Sequence, residues 1–381
     1  MTRRPIPVAR PQRQLTDSQR LAWLRLIRSE NIGPVTFRDI LNQFGGAEIA
    51  LEALPELSRR GGRGRAIRIC PMPEAEEELA RGEAAGARLT ALDEPGDPPL
   101  LAIIEAPPPL LYVMGNNAVL ERPVVAIVGA RDASAAGRKI THQIAGELGS
   151  GGVTIASGLA RGIDTAAHDA SLPTGTVAVL AGGIDVAYPP ENAALHARIA
   201  SQGVLIAENA PGLEPRGRDF PRRNRLISGM ALGVLVVEAA LRSGSRITAD
   251  FAVEQGRQVF AVPGNPLDPR AGGTNQLIKD GARLVTEAAD VVRGLGTALK
   301  GFAAPSVPAQ IEEPMQALPA ATVAQTDRER IIEALGPAPT GLDDLGRMTG
   351  LDPRQIRVVL LELDLAGRIE RSAGQRFALK L

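Results

Sequence analysis

The sequence predicts an α/β fold: a doubly wound, mostly parallel sheet flanked by two small, mostly helical domains. Three observations carry that expectation. From residue 124 to about 295, seven short apolar runs alternate with helical segments. The runs are near-continuous Val, Ile and Ala, ending in glycine, as strands buried on both faces require. Proline-rich stretches separate this region from helical sequence before it and from a helix–helix–helix–hairpin order after it.

Residues 1–15 are rich in Pro and Arg and read as a flexible basic arm. Residues 16–86 read as a helical domain. Thr16 or Asp17 can cap a helix carrying Leu21, Trp23, Leu24 and Ile27, and Asn31-Ile32-Gly33-Pro34 breaks it. A second helix runs from Val35 to Phe44. The Ile-Gly-Pro turn resembles a helix-hairpin-helix, whose glycine turn can offer backbone N–H groups to phosphate. An ordinary helix hairpin fits as well, since one glycine matches and the flanks are not basic.

The segment from 88 to 123 holds Asp97-Pro98-Pro99 and Ala106-Pro107-Pro108-Pro109, then Leu110-Leu111-Tyr112-Val113. So much proline predicts an extended connector leading into an edge strand. The strand candidates follow: Val124–Val128, Val153–Ala156, Thr176–Leu180, Val204–Ala207, Gly233–Val237, Gln258–Val262 and Arg283–Val285. Together 87–299 form the sheet domain. Pro305, Pro308, Pro314 and Pro319 mark 300–326 as a linker, and 327–381 read as a separate winged helix. Its helices are Arg328–Leu335, Leu342–Met348 and Pro353–Leu365, and its hairpin is Arg368–Arg371 with Arg376–Leu379. The third helix carries Arg354 and Arg357 but also Glu362 and Asp364, which equips it weakly for reading a groove.

The 381 residues are 44% apolar with zero net charge, which excludes a disordered chain and a uniformly basic coat but not a local basic patch. One cysteine, Cys70, excludes internal disulfides and multi-cysteine zinc sites, and the three histidines have no metal-ligand spacing. No metal or cofactor is expected. No apolar run is long enough to span a bilayer, and Met1-Thr2-Arg3-Arg4-Pro5 has no apolar segment behind it, so a cytoplasmic protein is expected.

Ligands of a doubly wound sheet sit at the C-terminal strand ends, where helix N-termini expose N–H donors. The first such end is Gly129-Ala130-Arg131-Asp132-Ala133-Ser134, and Arg131 stands where a dinucleotide fingerprint needs its second glycine. The second is Ser157-Gly158-Leu159-Ala160-Arg161-Gly162-Ile163-Asp164, whose glycines permit an anion nest. Asp164 and His168 are spaced as an acid–base pair, but a dipole-stabilising Asp beside a packed His explains them better. Further ends carry Gly182-Gly183-Ile184-Asp185, Ser243-Gly244-Ser245-Arg246-Ile247-Thr248 and Pro263-Gly264. The rim reads as phosphate-binding, with no evident nucleophile, base or metal set.

Phe220-Pro221-Arg222-Arg223-Asn224-Arg225 sharpens that reading: three guanidinium groups for phosphates beside one ring for an unpaired base. The alternative is a helix start with solvated arginines and a core phenylalanine.

These motifs, in this order and with Tyr188-Pro189 after Gly183-Ile184-Asp185, resemble the DprA/Smf family of bacterial transformation over most of the chain. The resemblance implies an extended Rossmann-like domain that binds single-stranded DNA, dimerises and loads the recombinase RecA. Its expected DNA-binding residues here are Gly129, Arg131, Ser134, Ser157, Gly158 and Arg161, with Arg216, Arg218, Phe220, Arg223, Asn224 and Arg225. Two positions depart from the pattern: Pro190, where members can carry a basic residue, and Arg216 and Arg218, which flank Gly217. The dimer interface is expected at Leu277, Ile278 and Leu284, near the last sheet edge. A nucleotide-cleaving hydrolase of the cytokinin-activating, lysine-decarboxylase-like kind is the rival. Its Pro-Gly-Gly-x-Gly-Thr-x-x-Glu loop compares with Ser243 to Asp250, which keeps only the threonine.

Overall fold

The computed structural model describes residues 14–302, 323–372 and 374–380. Residues 1–13 of the expected arm and most of the expected linker lie outside them. The described residues divide into two compact units, one built from 77–302, the other from 15–76 together with the described residues after 322.

The second unit begins with α1 (Asp17–Ile27), α2 (Pro34–Phe44) and α3 (Ala47–Arg60). Thr16 caps α1 in a capping box with Gln19, and Gly45 in the left-handed region ends α2. A fourth helix, α4 (Met72–Ala84), leads into the first unit.

There the strands are β1 (Arg88–Ala91), β2 (Leu110–Gly115), β3 (Val124–Gly129), β4 (Thr154–Ser157), β5 (Thr176–Leu180), β6 (Val204–Ala207), β7 (Gly233–Val237), β8 (Gln258–Ala261) and β9 (Arg283–Leu284). They form one sheet in the order β1-β2-β6-β5-β4-β3-β7-β8-β9. All seven strands from β3 onward pair in parallel, and only β1 and β2 run antiparallel. The apolar runs are strands because both faces are buried. Val124, Ala126 and Val128 enter one core cluster, while Val125 and Ile127 enter the opposite one.

The crossover helices are α5 (Ala135–Ser150), α6 (Ile163–Ser171), α7 (Ala193–Gln202), α8 (Asp219–Gly229), α9 (Gly244–Glu254) and α10 (Gly272–Lys279), with α11 (Ala288–Leu295) and α12 (Thr297–Lys300) after the last strand. One expectation fails here. Leu110–Gly115 is not an edge strand, because β1 pairs along its far side from Arg88↔Val113 to Ala91↔Leu110. The prolines lie between these two strands rather than in them, so both ladders stay intact.

The C-terminal segment supplies α13 (Gln325–Ala334), β10 (Thr340–Gly341), α14 (Leu342–Thr349), α15 (Pro353–Leu365), β11 (Ile369–Ser372) and β12 (Arg376–Leu379), with the small sheet ordered β10-β12-β11. This is the winged-helix order, but not a unit standing apart as expected. Thr36 Oγ1 donates to Asp364 at 2.7 Å, Asn31 donates to the Leu365 carbonyl at 3.0 Å, and Arg371 pairs with Asp39 at 2.7 Å. The N-terminal helices and the winged helix share one packed interior.

Candidate nucleic-acid interface

The rim is assembled from the loops that leave β3, β4 and β5, together with α8. Phe220 lies in the first turn of α8, half-buried, with its ring centroid 5.5 Å from that of Tyr188. The Arg131 guanidinium stands over the Phe220 ring at 5.4 Å. Tyr188 is 41% exposed, so the ring pair reaches solvent through it. A small pocket beside the rings is lined by Gly158, Leu180, Gly182, Pro215 and Arg223, among others. Sequence reasoning used Tyr188 only as part of a motif; its pairing with Phe220 depends on the β5 loop folding back toward α8.

The arginines divide into two classes. Arg131, Arg161, Arg216, Arg218 and Arg222 are exposed, and Arg161 faces Glu191 at 3.7 Å across solvent, a weak pairing. Arg223 instead points inward. Its guanidinium donates to the Gly158 carbonyl at 2.6 Å and to the Val179 carbonyl, tying the ends of β4 and β5 to α8. A Cβ at 158 would stand 2.5 Å from the Arg223 guanidinium, so any larger residue there must displace it. Burial draws the Arg223 pKa down to about 10, with Asp164 opposing the shift. Arg225 is also engaged, donating to Ala106 O at 2.7 Å and pairing with Glu208 at 2.5 Å. Asn224 is buried and its amide reaches Gly244 O at the start of α9. The second half of Phe220–Arg225 is therefore scaffold, because α8 turns positions 223 and 224 into the protein.

The other candidates separate similarly. Ser157 is fully buried and donates to Ile127 O at 2.6 Å, so it braces β4 against β3. Gly129 lies against Val237 O and Ile163. Ser134 caps α5 through Gly137 N–H at 2.8 Å.

The expected anion nests exist, but the chain fills them itself. The Asp164 carboxylate accepts from Gly158 N–H at 3.1 Å and Ala160 N–H at 3.3 Å, in a loop whose left-handed residues are Leu159 and Gly162. Burial pushes the Asp164 carboxyl above its ordinary range, against the charge of Arg223 and those amide donors. At α5, Glu238 accepts from Ser134 N–H at 2.8 Å and from the Ser134 hydroxyl.

Asp164 and His168 turn to different partners rather than to one another. His168 is fully buried, with Nδ1 2.7 Å from Thr176 Oγ1. Thr176 gives its single hydroxyl proton to Ile155 O at 3.0 Å, so Nδ1 must carry the ring proton. Buried there, the imidazole is held down at a pKa of about 3, with Arg223 adding to the shift. The packed-histidine reading fits this geometry.

Comparison with known proteins follows the same lines. The family model described as DNA recombination-mediator protein A matches residues 88–296, with a DprA-like N-terminal HHH domain at 17–80 and a DprA winged helix domain at 313–375. The chain belongs to the DprA family. Protein Smf of Synechocystis sp. is 31% identical over 95% of this chain and 99% of its own length. DNA processing protein DprA of Streptococcus pneumoniae is 46% identical over 49% of this chain and 66% of its own. Its crystal structure superposes with a TM-score of 0.58 at 33% identity, covering 72% of this chain and 96% of that one. DNA processing protein A of Helicobacter pylori, solved for its single-stranded DNA binding mode, matches at TM-score 0.51 and 28% identity over 57% and 99% of the two chains. Family membership accounts for the sheet, the helical N-terminal domain and the winged helix together.

Proposed function

We propose that this DprA-family chain binds single-stranded DNA along the rim formed by Arg131, Arg161, Arg216, Arg218, Phe220 and Tyr188, and delivers it to RecA without chemistry of its own. The observation that carries the reading is the Tyr188–Phe220 ring pair with Arg131 above it, a stacking platform beside exposed guanidinium groups. The single-stranded DNA bound by the Helicobacter pylori relative supports it. Arg222, exposed on α8, joins the set, while Arg223, Asn224, Arg225 and Ser157 serve as framework. The acid–base reading loses support because His168 is fully buried. Among the described residues no helix is long and apolar enough to cross a membrane; the cytoplasmic location belongs to the proposal through its partner RecA.

Dimerisation belongs to the proposal through β9, whose Arg283 and Leu284 are exposed at the sheet's last edge. Ile278 is half-buried against the core and Leu277 is buried within it, so of the three expected residues Leu284 offers the free surface.

The test is a binding series with a single-stranded oligonucleotide and its duplex over a range of salt. The five exposed arginines, each neutralising one phosphate, give a slope of log affinity against log salt of about −3.5. Duplex bound more tightly than single strand, or a slope near zero, defeats the reading.

A further inference from the structure

In a doubly wound sheet the helix that follows the first central strand offers its N-terminus to a phosphate group. Here that helix is α5, and its N-terminus is already engaged. The Glu238 carboxylate takes Ser134 N–H at 2.8 Å with one oxygen and the Ser134 hydroxyl with the other. It lies against the first turn of α5, for a Cβ on Gly137 would meet its carboxyl carbon at 2.5 Å. The carboxylate thus stands where a phosphate would stand, on the donors a phosphate would use.

Two further observations mark the placement as built. Glu238 follows β7 with φ of 52°, a left-handed backbone that a non-glycine residue adopts at a cost, and this conformation aims the carboxylate back across β3 at α5. On the next loop Asp164 does the same for Gly158 and Ala160. Both nests beside β3 are therefore closed by acidic side chains of the chain itself.

We propose that Glu238 is an internal substitute for phosphate that excludes free nucleotides and inorganic phosphate from the α5 N-terminus. Phosphate recognition then falls to the exposed arginines, which can follow a strand but give a single nucleotide no enclosed seat. Glu238 is in this sense a specificity-determining residue, selecting polymer over monomer. The exclusion stands on the geometry of the sheet alone; its consequence for polymers rests on the proposed strand-binding rim.

Glu238→Gly removes the carboxylate and suits the left-handed backbone; Glu238→Asn does the same with a shorter neutral side chain that also tolerates that region. Binding of ADP and of inorganic phosphate is measured by equilibrium dialysis for the wild-type chain and both variants, with circular dichroism to confirm folding. The expected result is no saturable binding by the wild-type chain. Each folded variant should gain ADP and phosphate affinity of at least about tenfold, with phosphate competing against ADP. Saturable ADP or phosphate binding by the wild-type chain, competing one with the other, overturns the proposal, and so does a folded variant that gains none. If neither variant folds, thermal denaturation of the wild-type chain decides: a melting temperature raised by ADP overturns the proposal, and an unchanged one upholds it. Oligonucleotide affinity is read in parallel, so loss of strand binding tests the proposed function and leaves this inference untouched.

Discussion

Two arginines beside the Phe220 ring separate stability from binding. Arg223 satisfies two carbonyls at the ends of β4 and β5, whereas Arg131 is exposed and touches only the Phe220 ring in the described contacts. Arg223→Ala leaves those acceptors buried without a donor and should cost about 2–4 kcal/mol of stability in urea denaturation. Arg131→Glu should leave the urea midpoint unchanged and weaken strand binding. Equal stability losses would show that the burial distinction is wrong. The hexapeptide 220–225 could not be divided by composition, because its chemistry is the same throughout and only helical phase tells the positions apart. That phase was recoverable: Arg223 lies three and four residues before Leu226 and Ile227, on the face that α8 buries. His168 carries a second residue-scale prediction. Its folded pKa of about 3 lies below the ordinary 6.5, so the unfolded chain binds the extra proton between those values. The stability it contributes is complete above pH 6.5 and declines as pH falls toward 3. The reason is local: Nδ1–H is committed to Thr176, and buried Nε2 has no hydrogen-bond partner among the described residues for a second N–H. Urea midpoints should fall between pH 6.5 and 5, and His168→Gln should flatten that slope; a slope unchanged in the variant assigns the effect to other groups.

At the scale of elements, legibility followed burial. The seven parallel strands were read from sequence because burial on both faces leaves no polar alternation to confuse them. Strand β1 was missed: it is only four residues long, with an exposed Arg88 at its start, and its partner lies beyond a proline-rich stretch. The nests were foreseen from their glycines, but not the carboxylates that fill them, since Glu238 is 104 residues from Ser134 in sequence. The last edge allows a cleaner test of association than its helix. Ile278 leans on the core, so charging it perturbs folding as well as any interface. Leu284 is 51% exposed on β9, and Leu284→Glu should yield monomers by light scattering while the melting temperature and short-oligonucleotide binding stay as in wild type. A dimer that survives the change places the interface elsewhere.

At the scale of the whole molecule, the two ends of the sequence make one folded body. Helix α15 is buried along most of its length, from Ile356 to Leu365, and α3 and α2 cover it together with the winged helix's own core. Arg328 and Glu362 meet there at 2.8 Å with the carboxylate almost fully enclosed. The position that reads a groove in other winged helices is thus largely taken by an intramolecular contact, leaving Arg354 and Arg357 exposed. This could not be read from sequence, where Thr36 and Asp364 are 328 residues apart. It changes what truncation should do. Two independent domains would survive separation, but a chain ending at Phe302 strips α3 and α2 of the helix they pack on. Thr36, Asn31 and Asp39 then lose the partners they have in α15 and β11. Limited trypsin digestion of that truncated chain should cut rapidly within residues 15–76 while the sheet unit resists, whereas the full chain should be protected in both regions. Equal protection of residues 15–76 in the two proteins would mean that the N-terminal helices hold their fold alone, and that the shared interior is contact without mutual dependence.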